Sequence, residues 1–173
     1  ERSRFFDGKK TEGFGKKIEY QAMNAMMMIE TGDMEHPRMI SVFPYPEMPE
    51  GYTHGENFNF VDGVRVPFGP HNCFDQFGTP VYGKFNNTVF NCYFHAGLRI
   101  YDVHDPFVPK EIAYFLPPDP PEVLTDNETH DVMPGSPIAI TEDLVVDDRG
   151  YIYISTQQDG IYILKYTGEK PLD

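Results

Sequence analysis

Between His71 and Phe115 the chain offers four short β-rich runs. They are His71-Asn-Cys-Phe-Asp75, Thr88-Val-Phe-Asn-Cys-Tyr-Phe-His95, Gly97-Leu-Arg-Ile-Tyr-Asp-Val103 and Lys110-Glu-Ile-Ala-Tyr-Phe115, separated by Gly, Pro, Asn and Asp. Runs of this kind, punctuated by turn residues, are successive antiparallel strands. Four strands in about 45 residues is the size of one β-propeller blade.

The unit recurs in part. Moving the chain by 72 residues brings Met28 onto Ile100, Glu30 onto Asp102, Asp33 onto Asp105, Pro37 onto Pro109, Arg38 onto Lys110, Ile40 onto Ile112, Phe43 onto Phe115 and Pro46 onto Pro118. Coincident Asp and Pro at turn positions carry backbone information, because each sets a particular turn geometry. The match makes strands of Ala25 to Thr31 and Arg38 to Phe43, with Ile18 to Met23 before them, although Ala and Met between Tyr20 and Ile29 favour helix. Moving by 63 brings Gly160 onto Gly97, Ile161 onto Leu98 and Ile163 onto Ile100. The last unit is then Asp143 to Asp147, Tyr151 to Thr156 and Gly160 to Tyr166. Its middle run alternates apolar and small polar residues, as a half-buried strand does.

The reading is an all-β chain forming a single segment. A partial blade occupies 18–46, a complete blade 70–118 and a partial terminal blade 142–168, with insertions at 47–69 and 119–141. Residues 1–17 read as a loop or extended arm, and Phe58 to Val66 as a small hairpin around Asp62-Gly63. The units supply three, four and three strands, about two and a half four-stranded antiparallel blades. A closed ring takes about four blades or more. The chain is therefore expected to belong to a larger propeller, completed by further polypeptide from its parent chain or a second subunit. Closure by self-association and an open sandwich are the alternatives.

Composition narrows the partners. Net charge is −13, which lacks the basic footprint that nucleic acid requires. No run approaches the roughly 20 apolar residues of a membrane span; the densest, Ala22 to Ile29, is far shorter. The opening Glu1-Arg-Ser-Arg4 does not read as a secretory leader, which a processed chain would also lack. Cys73 and Cys92 fall in neighbouring expected strands, as two small buried thiols or, if their Cα atoms lie close enough, as a disulfide.

Gly97-Leu-Arg-Ile-Tyr-Asp-Val-His-Asp-Pro-Phe-Val-Pro-Lys-Glu-Ile resembles the LVIVD-repeat β-propellers, whose units carry a Gly-Leu-x-Ile-x-Asp-Val strand, then Asp-Pro-x-x-Pro, then an outer strand. Asp159-Gly-Ile-Tyr-Ile-Leu-Lys-Tyr-Thr-Gly168 resembles a terminal unit of the same kind. The resemblance spans residues 18–46, 70–118 and 142–168. It implies a propeller and a periplasmic or extracellular rather than cytoplasmic location. It implies no particular activity.

Candidate chemistry lies in the histidines. Insertions and the starts of innermost strands tend to gather at a propeller mouth. His71 starts the innermost strand of the complete blade, His95 ends its second strand, and His54 and His130 lie in the two insertions. Convergent imidazoles make a transition-metal site for Cu, Fe or Zn, although no local spacing such as His-Glu-x-x-His supports one here. Glu56, Asp75, Glu128, Asp131, Glu142 and Asp143 could support these imidazoles or bind Ca²⁺, and Asp75 also matches Asp147 as a turn residue. His36 and His104 read as exposed turn residues. The methionines at 23–34 read as core, or as a soft copper site. Asn86 and Asn127 begin glycosylation-type triplets. Nucleophile elbows, phosphate-binding glycine loops and paired metal-cysteine motifs are missing. The expectation is a metal-dependent propeller enzyme, an oxidoreductase acting on a small substrate. The alternative is a non-catalytic exported propeller that binds a protein or glycan.

Overall fold

The computed structural model describes residues 25–55, 58, 60–61, 64–65, 68–74, 78–121, 138–157 and 159–173. Among these residues there are ten strands and no helix, and so no helix long and apolar enough to cross a membrane. The strands are β1 (Met27–Glu30), β2 (Arg38–Val42), β3 (Phe60–Val61), β4 (Val64–Arg65), β5 (Thr88–Cys92), β6 (Leu98–Asp102), β7 (Lys110–Phe115), β8 (Thr141–Val146), β9 (Tyr151–Thr156) and β10 (Gly160–Lys165). They form four antiparallel sheets, ordered β1-β2, β3-β4, β5-β6-β7 and β8-β9-β10.

The repeat is reproduced hydrogen bond by hydrogen bond. At the end of β1, Glu30 Oε1 accepts from the Gly32 amide at 2.6 Å; at the end of β6, Asp102 Oδ1 accepts from the His104 amide at 2.9 Å. Asp33 Oδ1 accepts from the Glu35 amide at 3.0 Å, and Asp105 Oδ1 from the Phe107 amide at 3.0 Å. Each Asp carbonyl then accepts from the amide three residues on, His36 or Val108. These are side-chain-mimicked turns, the reason Asp is placed there. A bulge follows Met28 in one ladder and Ile100 in the other, again 72 residues apart. Arg38 closes the first turn on Glu30 at 2.9 Å, opposite it in register, as Lys110 is opposite Asp102.

The 63-residue shift is equally concrete. Gly97 and Gly160 both open their strands in the left-handed region, with φ of 76° and 87°. A Cβ on Gly97 would also collide with the Phe115 carbonyl oxygen. The same turn needs Phe94 at φ 52°, a conformation uncommon for a non-glycine residue.

Alternation decides what is buried. One side of the middle sheet presents Phe90, Cys92, Leu98 and Ile100, which pack on Leu144, Val146, Ile152 and Ile154 of the third sheet. Its other side carries Tyr101, which joins Val103 and Tyr93 against Phe43, Phe58 and Phe68 of the preceding segments, with Met26 and Met28 at the margin. The middle sheet is thus covered on both sides. Among the described residues the two flanking sheets are covered on one side only. Met27, Ile29 and Met39 stay exposed on the first; on the third so do Val145, Tyr151, Ile161 and Ile163, the last two at 69% and 63%.

Several expectations change in detail. The innermost run at 71–74 is a bridged segment and not a full strand: Cys73 bridges Asn91, and the His71 and Phe74 amides donate to Cys92 and Phe90 carbonyls. The hairpin forms as β3-β4, while Asp62-Gly63 lies outside the described residues, as do Ile18 to Met23, Asp75 and residues 1–17. The connection before β5 has a role that no periodicity announced. Its Tyr82 bridges Asp147, with the Gly83 amide donating to Val146 and the Asp148 amide to Val81, so it lines the edge of β8. Neither cysteine is in a disulfide, and only Cys92 is buried; burial pushes its pKa up to about 12, so it is inert.

Candidate functional site

Four segments meet beside His95: residues 49–54, His95 itself, Leu116–Asp119 and Ile138–Ala139, enclosing a cavity of about 260 Å³. The chain arrives there because prolines set the path. Pro49, Pro117 and Pro118 belong to the lining, and proline fixes φ without needing a hydrogen-bond partner for its own nitrogen.

His95 sits in the tight turn between β5 and β6 and is 3% exposed. Its ring lies 5.4 Å from that of Phe68 and 5.8 Å from that of Phe58. Nε2–H donates to the Phe58 carbonyl at 2.6 Å, while Nδ1 is buried with no hydrogen-bond partner among the described residues. Burial is the main reason its pKa falls to about 4; the bond to Phe58 opposes that shift and the nearby His54 adds to it. The ring is therefore neutral at pH 7, with its proton on Nε2 and a lone pair on Nδ1.

His54 lies half-buried on the same cavity, with Nε2 2.8 Å from Asp119 Oδ2. The Ala139 amide donates to the other oxygen of Asp119 at 3.4 Å. The Tyr52 ring stands 5.7 Å from His54. Glu50 adds a second exposed carboxylate at the rim.

The expected histidine quartet is divided among neighbours. The cavity collects His54 and His95. His71 turns instead to β8, with Nδ1 2.7 Å from the Glu142 carbonyl and 3.3 Å from its carboxylate, and its ring lies tilted against that of Phe94, 4.6 Å between centroids. His130 lies outside the described residues, with Glu56, Glu128 and Asp131. Among the described residues no three His, Cys, Asp or Glu side chains are grouped so as to hold a metal ion. His36 and His104 are exposed turn residues, hydrogen-bonded to Asp33 and Asp102. Glu142 contacts His71, and Asp143 hydrogen-bonds within β8 and β9.

Asp119 and Glu50 were not visible as site residues in the sequence. Pro117-Pro118-Asp119 showed a rigid acidic segment, without a periodicity to say where it leads. Arg99 is wholly buried in β6, donating to the Ala96 carbonyl at 2.8 Å and to Glu111 at 3.0 Å, with its guanidinium over the Tyr114 ring. Its place in the Leu-x-Ile alternation marked it as facing away from the first core, but not toward a second. Compared with known proteins, the chain matches no family model, no curated protein and no solved structure.

Proposed function

We propose that this chain is one sector of a larger β-propeller, covered on both outer faces by further β-sheet, and that the assembled ring binds a ligand at the end of the stack where the His95 cavity opens. One observation carries the reading. The outer face of β8–β10 places Val145, Tyr151, Ile161 and Ile163 in solvent, on the side opposite the core that the same strands share with the middle sheet. Wherever one sheet of this chain meets another, opposite faces meet: Ile161 and Ile163 match Leu98 and Ile100 by the 63-residue shift, and on the middle sheet that face is covered by the third sheet. A contiguous exposed apolar patch of this sort marks an interaction surface.

The binding reading is a non-catalytic one, with a protein or glycan as its expected partner. A metal-dependent oxidoreductase is the second reading. It is favoured by two imidazoles on one cavity, each with Nε2 engaged by an oxygen, an arrangement that orients metal-ligating histidines.

Sedimentation velocity tests the sector reading. The 173-residue chain alone should associate, and Ile161→Lys with Ile163→Lys should shift it toward monomer. A wild-type chain that stays monomeric and melts cooperatively would show that these faces need no cover.

A further inference from the structure

Two sulfur atoms from distant parts of the chain meet where the segment before β1 passes the middle sheet. Cys73 bridges Asn91 of β5 as an antiparallel pair, so the two side chains are cross-strand neighbours. Met26 directly precedes β1, and its carbonyl accepts from the Phe43 amide. The Cys73 thiol donates to Met26 Sδ at 3.3 Å, across 47 residues of sequence. Asn91 Nδ2 donates to the same Sγ at 3.0 Å. Asn91 is wholly buried and its Oδ1 has no hydrogen-bond partner, so among the described residues its carboxamide is aimed at this sulfur alone. Cys73 is an exposed residue and Met26 a half-buried one. Unlike Cys92, which is sealed in the core, the pair is within reach of a solute.

Donor chemistry chooses the ligand. Hard cations ask for oxygen ligands, and Zn²⁺ in a structural site takes four donors. Among the described residues no three His, Cys, Asp or Glu side chains are grouped for that. Thiolate and thioether sulfur select Cu(I), which is satisfied by fewer ligands than Zn²⁺. We propose that Cys73 and Met26 bind one Cu(I) ion. Cys73 releases its thiol proton to solvent and binds as the thiolate, while Met26 binds through Sδ with no proton change. Asn91 goes on donating to Sγ, a bond that favours the thiolate. With metal–sulfur bonds of about 2.3 Å, two sulfurs on one ion stand about 4 Å apart. The pair then opens from 3.3 Å by less than about 1 Å, which the three torsions of methionine accommodate. The ion would tie the segment before β1 to the middle sheet. Neither sulfur belongs to the His95 cavity, and the inference does not depend on what covers the outer sheets.

The test is an anaerobic titration of the full chain with Cu(I), supplied as its acetonitrile complex in competition with bicinchoninate, with zinc chloride in parallel. One ion per chain is expected, with thiolate-to-copper absorption in the ultraviolet and release of one proton. Cys73→Ser should abolish the absorption. Met26→Leu, which keeps the volume, should weaken binding by at least the roughly ten-fold that loss of even an outer partner costs a metal site. Met34→Leu, at an exposed methionine of the same cluster, should change nothing. Cu(I) should raise the urea midpoint of wild type but not of Cys73→Ser, and the metal-free midpoints of the variants show that they fold. The proposal is overturned if bicinchoninate strips all the copper, or if Zn²⁺ binds as tightly. Undiminished binding by Cys73→Ser would place the copper elsewhere, and equal affinity in wild type and Met26→Leu would leave only an ordinary surface thiol.

Discussion

A buried imidazole with one committed nitrogen makes stability depend on pH. His95 has a folded-state pKa of about 4, held down mainly by burial. Its unfolded value is near 6.5. A depressed pKa of this kind means that the unfolded chain takes up the proton first. The contribution to stability is present above about 6.5 and is lost as pH falls toward 4, amounting to about 3 kcal/mol by linkage. Urea midpoints at pH 7, 5 and 4 should therefore fall in wild type and fall less in His95→Gln. Equal slopes in the two proteins would mean that the acid sensitivity lies elsewhere. Asp147 acts in a lower window. Partial desolvation raises its pKa, but the amides of Tyr151 and Arg149, the Arg149 guanidinium and the Tyr153 hydroxyl together lower it to about 2. Its contribution fades only below about pH 4, so the two residues can be separated in one titration. The sequence marked both residues, His95 by its place at a strand end and Asp147 by the repeat. It could not reveal that His71, marked by the same reasoning, turns to Glu142. Which neighbour an imidazole meets depends on chain paths that carry no period.

Turns at the strand openings behave as repeating elements, and glycine is the residue they depend on. Gly97 and Gly160 occupy matched places and both have positive φ. Their surroundings differ. A Cβ at Gly160 would meet nothing within 4 Å, whereas at Gly97 it would strike the Phe115 backbone. Gly160→Ala should cost the conformational strain alone, about 1–2 kcal/mol. Gly97→Ala should cost clearly more, because the β6-β7 ladder would have to move. Equal losses of stability in denaturant titrations would show that the β6-β7 contact is soft. The strands themselves were legible: the runs read at 88–95, 97–103, 110–115, 151–156 and 160–166 each contain an observed strand, and the run at 143–147 overlaps β8, which starts two residues earlier at Thr141. They were legible because alternation and turn residues are local. The pairing of residues 81–83 with β8 was not, since it joins segments more than sixty residues apart in sequence through backbone atoms alone.

On the scale of the whole molecule, the middle sheet is the shared wall of two cores, and that fixes an order of local stability. Residues of β5 and β6 are buried almost without interruption. Their Phe90, Cys92, Leu98 and Ile100 belong to one core and Tyr101 to the other. The β8-β9 pair contributes one buried face, through Leu144, Val146, Ile152 and Ile154. The β1-β2 pair contributes least: no residue of either strand is buried, and only Phe43 just beyond it enters the core as a buried side chain. Local opening free energies follow buried apolar contact, from near zero at exposed pairs up to the global value in the core. Native-state hydrogen exchange should therefore rank the amides of β5 and β6 slowest, those of β8 and β9 next and those of β1 and β2 fastest. Opening β5 or β6 uncovers both cores at once, so their exchange should follow global unfolding and respond steeply to denaturant. The β1-β2 amides should exchange with little denaturant dependence, because their opening exposes little surface. Protection of β1-β2 equal to that of β6 would mean that the exposed Met27, Ile29 and Met39 face is already covered in solution, by a second copy of the chain. Repeating the measurement over a range of protein concentration tells the two apart, since only protection that comes from association falls on dilution.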